Sequence, residues 1–441
     1  MARRGPRQID VVIEVLSEDG LGEAWFEDRR VLARNALPGE SVTVRVLKRR
    51  RGVWYGEAET PPRRGIERQT PPCPYFPRCG GCAMQHIAYP AQVRHKADVL
   101  LHLLRQQSVA PQLVRQPVCG PQFHYRYKAR LGVRLVGDEP LVGFREGFSN
   151  RVARMSDCKT LALPFARCLP ALRRVLAELE RPDRVPQVEL AGGDRTFAIV
   201  VRHLDPLGDA DRARLRSFAA SSGVRLFLQS GGYETVAELA PAADRRGLSY
   251  VNPDFGLCFE FLPTDFTQVN PFMNRRLVRA AVLALAPHRG AMVNDLFCGI
   301  GNFSLALARA GLGVRGFESS PGAVARAGRN AALNGLSAQA EFALADLYDS
   351  RCPELPDARY LLLDPPRSGA GPNLERWVAS RALERIVYVS CNPRTFASDA
   401  ARLQSQGFTL QEVGVFDMFP HTAHVETLGC FVRRSGVSQH G

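Results

Sequence analysis

The 441-residue chain holds 45% hydrophobic and 23% charged residues, the make-up of an ordinary globular protein large enough for two or three domains. Its formal net charge of +14 is unevenly spread: from Arg94 to Arg154 Lys and Arg outnumber Asp and Glu by seven, and from Cys258 onward by only two. A basic middle beside a nearly neutral C-terminal part points to a polyanion-binding surface joined to a catalytic core, the alternative being a solvated basic face.

Met1-Ala2-Arg3-Arg4 is followed by polar residues, and no stretch reaches membrane-spanning length, so a cytoplasmic location without a membrane partner is expected. Eleven cysteines, an odd number, in such a chain do not read as a disulfide framework.

From about Ile9 to Thr60 short alternating segments read as strands: Val11 to Val15, Gly20 to Trp25, and Ser41 to Val46. Glycine punctuation between them suggests a small β-barrel. The third runs into Lys48-Arg49-Arg50-Arg51 and then Trp54-Tyr55, so cations and aromatic faces lie together, as single-stranded nucleic acid requires. With Leu37-Pro38-Gly39-Glu40, this segment resembles a TRAM domain, an OB-like RNA-binding module. A barrel that serves only as scaffold is the other reading.

Pro61-Pro62-Arg63-Arg64-Gly65 and Thr70-Pro71-Pro72 mark a linker. Cys73, Cys79 and Cys82 then follow in a C-x5-C-x2-C spacing that lets one loop wrap a metal centre, with Cys158 as candidate fourth ligand. Four thiolates suit structural zinc and an iron-sulfur cluster equally. An apolar helix is expected from Ala97 to Leu104, a mixed β-rich region from Tyr125 to about Tyr250, and alternating strands and helices after Asn252-Pro253, the pattern of a mostly parallel sheet.

Ala291 to Phe297 reads as a buried strand running into Cys298-Gly299-Ile300-Gly301-Asn302-Phe303-Ser304 and an apolar helix to Ala310. Such a turn brings a nucleotide-like ligand close to backbone at a helix start, and Glu318, closing the next strand, can accept both ribose hydroxyls. Ser304 leaves the dinucleotide G-x-G-x-x-G incomplete, which favours S-adenosyl-L-methionine over a nicotinamide.

Tyr360 to Asp364 is a buried strand stopped by Pro365-Pro366. The following strand, Ile386 to Ser390, ends at Cys391-Asn392-Pro393, and Phe416 to Glu426 delivers a carboxylate near the C-terminus. C5 of uracil cannot take a methyl group directly. A thiolate adding to C6 makes C5 nucleophilic, and a general base must later remove the C5 proton. Cys391 and Glu426 are the candidates for those two groups, although strand-end cysteines are more often inert and exposed glutamates merely solvated. His421 and His424 lack a recognisable third partner for a metal. Cys119, Cys168, Cys258, Cys298, Cys352 and Cys430 read as packing residues.

Together these features resemble the RNA uracil-C5 methyltransferases, specifically the bacterial branch acting on 23S ribosomal RNA. The marks are Cys73 through His86, Tyr125 through Arg130, Asp265 through Asn270, Asp364 through Arg367, and Ser390 through Pro393. The resemblance implies an α/β class I (Rossmann-like) methyltransferase domain at 256–441, an OB-like TRAM barrel at 1–66, and a central mixed α+β iron-sulfur domain at 67–255. The helical part near 90–115 is expected to pack on the catalytic domain.

It also implies cofactor contacts from Gln268, Phe297, Asn302, Glu318, Asp346 and Asp364, with Asp346 standing where relatives place asparagine. Cys391 becomes the nucleophile, Glu426 the base, and Cys73, Cys79, Cys82 and Cys158 hold a [4Fe-4S] cluster. The expected substrate is uracil-1939 of 23S ribosomal RNA, the alternatives being another 23S uridine or transfer RNA, and a monomer is expected. Radical methylthiotransferases also combine TRAM with iron-sulfur chemistry, but with C-x3-C-x2-C spacing. A non-catalytic RNA-binding protein would have no use for Cys391 beside a complete cofactor loop.

Overall fold

The computed structural model describes residues 8–59, 67–240, 247–352 and 354–434. Six strands, Gln8–Val12, Val15–Leu16, Gly22–Phe26, Arg29–Arg34, Ser41–Arg50 and Val53–Ala58, form one sheet. Inward-facing Ile9, Val11, Ala24, Val31, Val42 and Val44 make its core, the period-two burial of half-buried strands. Val11 to Val15 is not one strand but two, and the third expected strand continues through Lys48 to Arg50. It turns at Arg51 and Gly52, both at positive φ (50° and 78°), the paired left-handed geometry that fits a two-residue hairpin to strand twist. The basic run therefore lies on a strand paired with Val53 to Tyr55, and the Arg49 guanidinium sits 4.5 Å from the Trp54 ring. Pro61 to Gly65 of the expected linker lie outside the described residues.

The middle of the chain builds a mixed six-stranded sheet: Ala237–Glu238, Arg225–Gln229, Phe197–Arg202, Gln187–Gly192, Lys128–Val136 and Glu139–Gly143 in spatial order. Helices Leu163–Ala177 and Asp209–Ser222 cover it and share its core.

Helix Tyr89–Gln106 is longer than expected at both ends. Pro90 opens its first turn, and Val93, Lys96, Leu100, Leu103 and Leu104 form its buried stripe. Leu100, Leu103 and Leu104 share a core with Phe396, Leu403 and Leu410 of the C-terminal part.

The C-terminal part is an eight-stranded sheet in the order Ala340–Leu344, Gly313–Glu318, Met292–Leu296, Tyr360–Leu363, Arg385–Ser390, Glu426–Arg433, Phe408–Phe416, Leu113–Val114. The first five run parallel, while Glu426–Arg433 is antiparallel to both of its neighbours. Strand order reverses beside Met292–Leu296, which opens a crevice at the carboxyl ends, where such sheets bind ligands. The expected border at 255/256 falls inside a hairpin, Leu248–Asn252 paired with Leu257–Phe261, whose Leu248, Tyr250 and Phe259 share a core with Met273 and Leu277. Among the described residues no helix is long and apolar enough to cross a membrane.

Candidate active site

One cavity of about 540 Å³ lies at the carboxyl edge of the C-terminal sheet. Strand Met292–Leu296 leaves the sheet at Phe297, held at φ 64°, a conformation rare outside glycine. Packing fixes it, with the Tyr348 and Trp377 rings at 5.9 and 6.2 Å between centroids. Gly299 and Gly301, at φ 55° and 89°, complete the reversal. The Gly299 amide donates to Glu318 Oε2 (3.2 Å), and the Ser320 amide and Ser319 hydroxyl donate to Oε1 (2.9 and 3.1 Å), so this carboxylate is oriented before any ligand arrives.

Asn302 exchanges a pair of 2.9 Å amide hydrogen bonds with Asn274 and accepts from the Tyr250 hydroxyl at 3.0 Å. Asp364 stands one residue beyond strand Tyr360–Leu363, its amide donating to the Leu296 carbonyl at 3.3 Å. Exposed Asp346 accepts from the Tyr348 amide at 2.9 Å.

Strand pairing brings the two candidate reacting groups together. Ser390 lies opposite Thr427 in the antiparallel ladder, so Cys391 and Glu426 are the next pair outward. Asn392 then caps helix Pro393–Ser405, accepting from the Arg394 amide at 3.2 Å, while its Nδ2 donates to the Arg367 carbonyl at 2.8 Å. That second bond ties the loop after Tyr360–Leu363 to the loop carrying the thiol. Burial, then Glu426 and Asp364, push the half-buried Cys391 thiol up to about 12, with Arg367 opposing. Glu426 is 2% exposed, and burial with Asp364 nearby holds its carboxyl well above the usual carboxylate range. Behind them Asp295 is wholly buried, bonded to the Ser304 hydroxyl and pushed up to about 7 by burial.

Over nearly its whole length the chain is similar to proteins named as RNA methyltransferases. A family model described as tRNA (Uracil-5-)-methyltransferase matches residues 251–345 and 354–435. A Hahella chejuensis protein named 23S rRNA (uracil(1939)-C(5))-methyltransferase RlmD is 42% identical over 430 residues, 95% of this chain and 96% of that protein. A Nitrosococcus oceani protein of the same name is 44% identical, with 95% of each chain covered. The chain belongs to the RNA uracil-C5 methyltransferase family. The Pyrococcus abyssi tRNA (uracil-54, C5)-methyltransferase, solved with S-adenosyl-L-homocysteine, shares its fold, at TM-score 0.73 and 22% identity over 96% of this chain and all of that one.

Gln268, Phe297, Asn302, Glu318, Asp346, Asp364, Cys391 and Glu426, all singled out from sequence, line this single cavity. Sequence reasoning passed over Phe266, Tyr348, Arg367 and Phe419, which line it too, and read Cys298 as packing, although its buried thiol also borders it. Phe266 and Arg367 stand inside motifs already noted. Tyr348 and Phe419 carried no local signal.

Cys73, Cys79, Cys82 and Cys158 line a second, smaller cavity with Tyr75, Phe76, Phe144 and Met155. Arg34 reaches in from the N-terminal sheet, donating to the carbonyls of Pro77, Cys79 and Cys82 at 2.8, 2.9 and 2.6 Å. Burial pushes the Cys73 thiol up, Cys79 to about 11 and Cys82 to about 12. Among the described residues no three His, Cys, Asp or Glu side chains are grouped closely enough to hold a single metal ion.

The carboxyl cluster has a measurable signature. Burial, then Asp295, push Asp364 up to about 8. The folded chain thus keeps a proton that the unfolded chain releases near pH 4. Its stabilising contribution is complete below about pH 4 and is lost as pH rises toward about 8. Asp364→Asn cannot ionise, so its thermal midpoint should gain on the wild type between about pH 5 and pH 8 in paired melts. An unchanged difference across that interval would contradict the placement of the three carboxyls.

Proposed function

We propose that the chain is an S-adenosyl-L-methionine-dependent methyltransferase that forms 5-methyluridine at uracil-1939 of 23S ribosomal RNA. The observation that carries this reading is the meeting of Cys391 and Glu426 on the cavity that the glycine turn and Glu318 border. Near full-length likeness to proteins named for that target supports the choice of RNA.

Glu318 receives the ribose hydroxyls of the donor, Phe297 packs on its flat ring, and Gln268, Asn302, Asp346 and Asp364 complete its enclosure. S-adenosyl-L-methionine supplies the methyl group from its sulfonium. Asp364, Glu426 and Cys391, which burial keeps toward their protonated forms, would ionise more readily beside a sulfonium. The Cys391 thiolate adds to C6 of the uracil, C5 takes the methyl group, Glu426 removes the C5 proton, and the thiolate leaves as the 5,6 double bond re-forms. A base stacked in folded RNA cannot reach a thiol at a sheet edge, so the uridine is turned out of its stack to enter.

The six-stranded N-terminal sheet acts as the TRAM module, offering Arg49 on Trp54 and the exposed Trp25 to single-stranded RNA. The four cysteines hold a [4Fe-4S] cluster. Four soft sulfur donors from two segments face one apolar-walled cavity, the donor set that such a cluster takes. Such a centre would join the loop of residues 73–82 to the segment carrying Cys158, between strand Glu139–Gly143 and helix Leu163–Ala177.

RNA carrying 5-fluorouridine at the target should form a denaturation-resistant adduct with the protein, since fluorine cannot leave as a proton does. Cys391→Ala should abolish it, and a persisting adduct would place the nucleophile elsewhere. Mapping 5-methyluridine in RNA from cells with and without the gene should show loss at uracil-1939; loss from transfer RNA instead would reassign the substrate. Anaerobically prepared protein should contain about four iron and four sulfide per chain, reduced by Cys158→Ser. Stoichiometric zinc without iron would overturn the cluster.

A further inference from the structure

Residues 417–425 connect strand Phe408–Phe416 to strand Glu426–Arg433, and Phe416 pairs directly with Glu426 across the ladder. Unusually for a loop, much of this connection is buried: Asp417, Met418 and His421 expose no surface. Its backbone groups must then find partners inside the protein, and besides local bonds such as those from Thr422 to the Phe419 carbonyl, several come from far upstream. Asn270 Nδ2 donates to the Met418 carbonyl (3.2 Å) and the Tyr125 hydroxyl to the Pro420 carbonyl (2.9 Å). The His421 amide donates to Gln92 Oε1 (3.1 Å), and the His421 carbonyl accepts from the amides of Ala83 and Met84 (2.9 and 3.0 Å).

Lys96 holds this loop at two points. From the middle of helix Tyr89–Gln106 its Nζ donates to Asp417 Oδ1 at 2.6 Å and to the Phe419 carbonyl at 3.0 Å, and both members of the ion pair have side chains only 1% exposed. The Tyr89 hydroxyl donates to the other Asp417 oxygen at 2.7 Å. Phe419, gripped by its carbonyl, turns its ring to the cavity wall. Lys96 itself does not line the cavity.

We propose that Lys96 is a positioning residue for Glu426: its grip on Asp417 and Phe419 sets where the carboxylate at the loop's exit stands relative to the covalently held base. This rests on the reading of Glu426 as the general base. Removing the C5 proton returns the C–H electron pair to the ring, where it re-forms the 5,6 double bond while the C6–S electrons depart with Cys391. The earlier steps need the thiol and the donor but not the carboxylate's exact reach. A loosened loop therefore halts the chain after methyl transfer, as a methylated covalent adduct.

The test uses the full chain, S-adenosyl-L-methionine and RNA with ordinary uridine at the target, following methyl transfer in a single turnover, steady-state release, and denaturation-resistant adduct. Lys96→Met leaves the Asp417 carboxylate buried without a counter-charge and endangers folding, so Lys96→Met/Asp417→Asn is made beside it. Tyr89→Phe provides a milder third variant, and Glu426→Gln is the reference. Methyl transfer should stay near the wild-type rate while release falls by roughly 10- to 100-fold, the scale of an ångström-sized misplacement. Adduct should accumulate as in Glu426→Gln, and in smaller measure in Tyr89→Phe. Adduct in Glu426→Gln but in none of the loop variants would overturn the role of Lys96 alone, as would an equal loss of transfer and release in folded variants. Rapid release without adduct from Glu426→Gln would remove the base assignment, and the proposal with it.

Discussion

The candidate site rests on the pairing of strand Glu426–Arg433 against Arg385–Ser390 in the antiparallel sense. The parallel strands all end at one edge, and this is where Phe297, Glu318, Asp364 and Cys391 leave the sheet. A parallel eighth strand would carry its first residue to the opposite edge, about 20–25 Å away at 3.3 Å per residue. Because Glu426–Arg433 runs backwards, its first residue emerges beside the thiol. Phe416 and Glu426 are paired neighbours that a two-residue turn could join, so the longer connection of residues 417–425 is an addition to the reversal, and much of the chain is engaged in holding it.

The same economy of contact joins the three parts of the molecule. Arg34 leaves the N-terminal sheet to bind carbonyls of the cysteine loop. The buried Arg68–Glu40 pair, with two 2.6 Å bonds, ties the start of the middle region to the Leu37-Pro38-Gly39-Glu40 turn. Leu37, Met84, Ile87 and Ala91 pack together with Ala423 against them. N-terminal sheet, cysteine loop, long helix and catalytic connection therefore meet at a single apolar junction.

Much of the C-terminal part could be read from sequence because its strands are continuous apolar runs that stop at conspicuous residues: Leu296 before the glycine turn, Leu363 before an acid and two prolines, Ser390 before Cys391-Asn392-Pro393. Strands Arg29–Arg34 and Val53–Ala58 went unread because arginines and glutamate interrupt their alternation. The start of helix Tyr89–Gln106 was hidden for a different reason. Gln92 and Lys96 look like solvent-facing positions, and both are buried against residues more than 300 positions later. Phe419 reached the cavity without a periodic pattern, its carbonyl held both by a local turn through Thr422 and by distant Lys96. Polar residues buried by distant partners are what periodicity cannot anticipate.

The crowding of Asp295, Asp364 and Glu426, each kept toward its protonated form by burial or by its neighbours, bears on what the cavity takes up. A cationic group entering beside them would favour the ionised forms that burial disfavours. Occupancy of this cavity by a cation is therefore coupled to proton release from the buried acids, and so to pH.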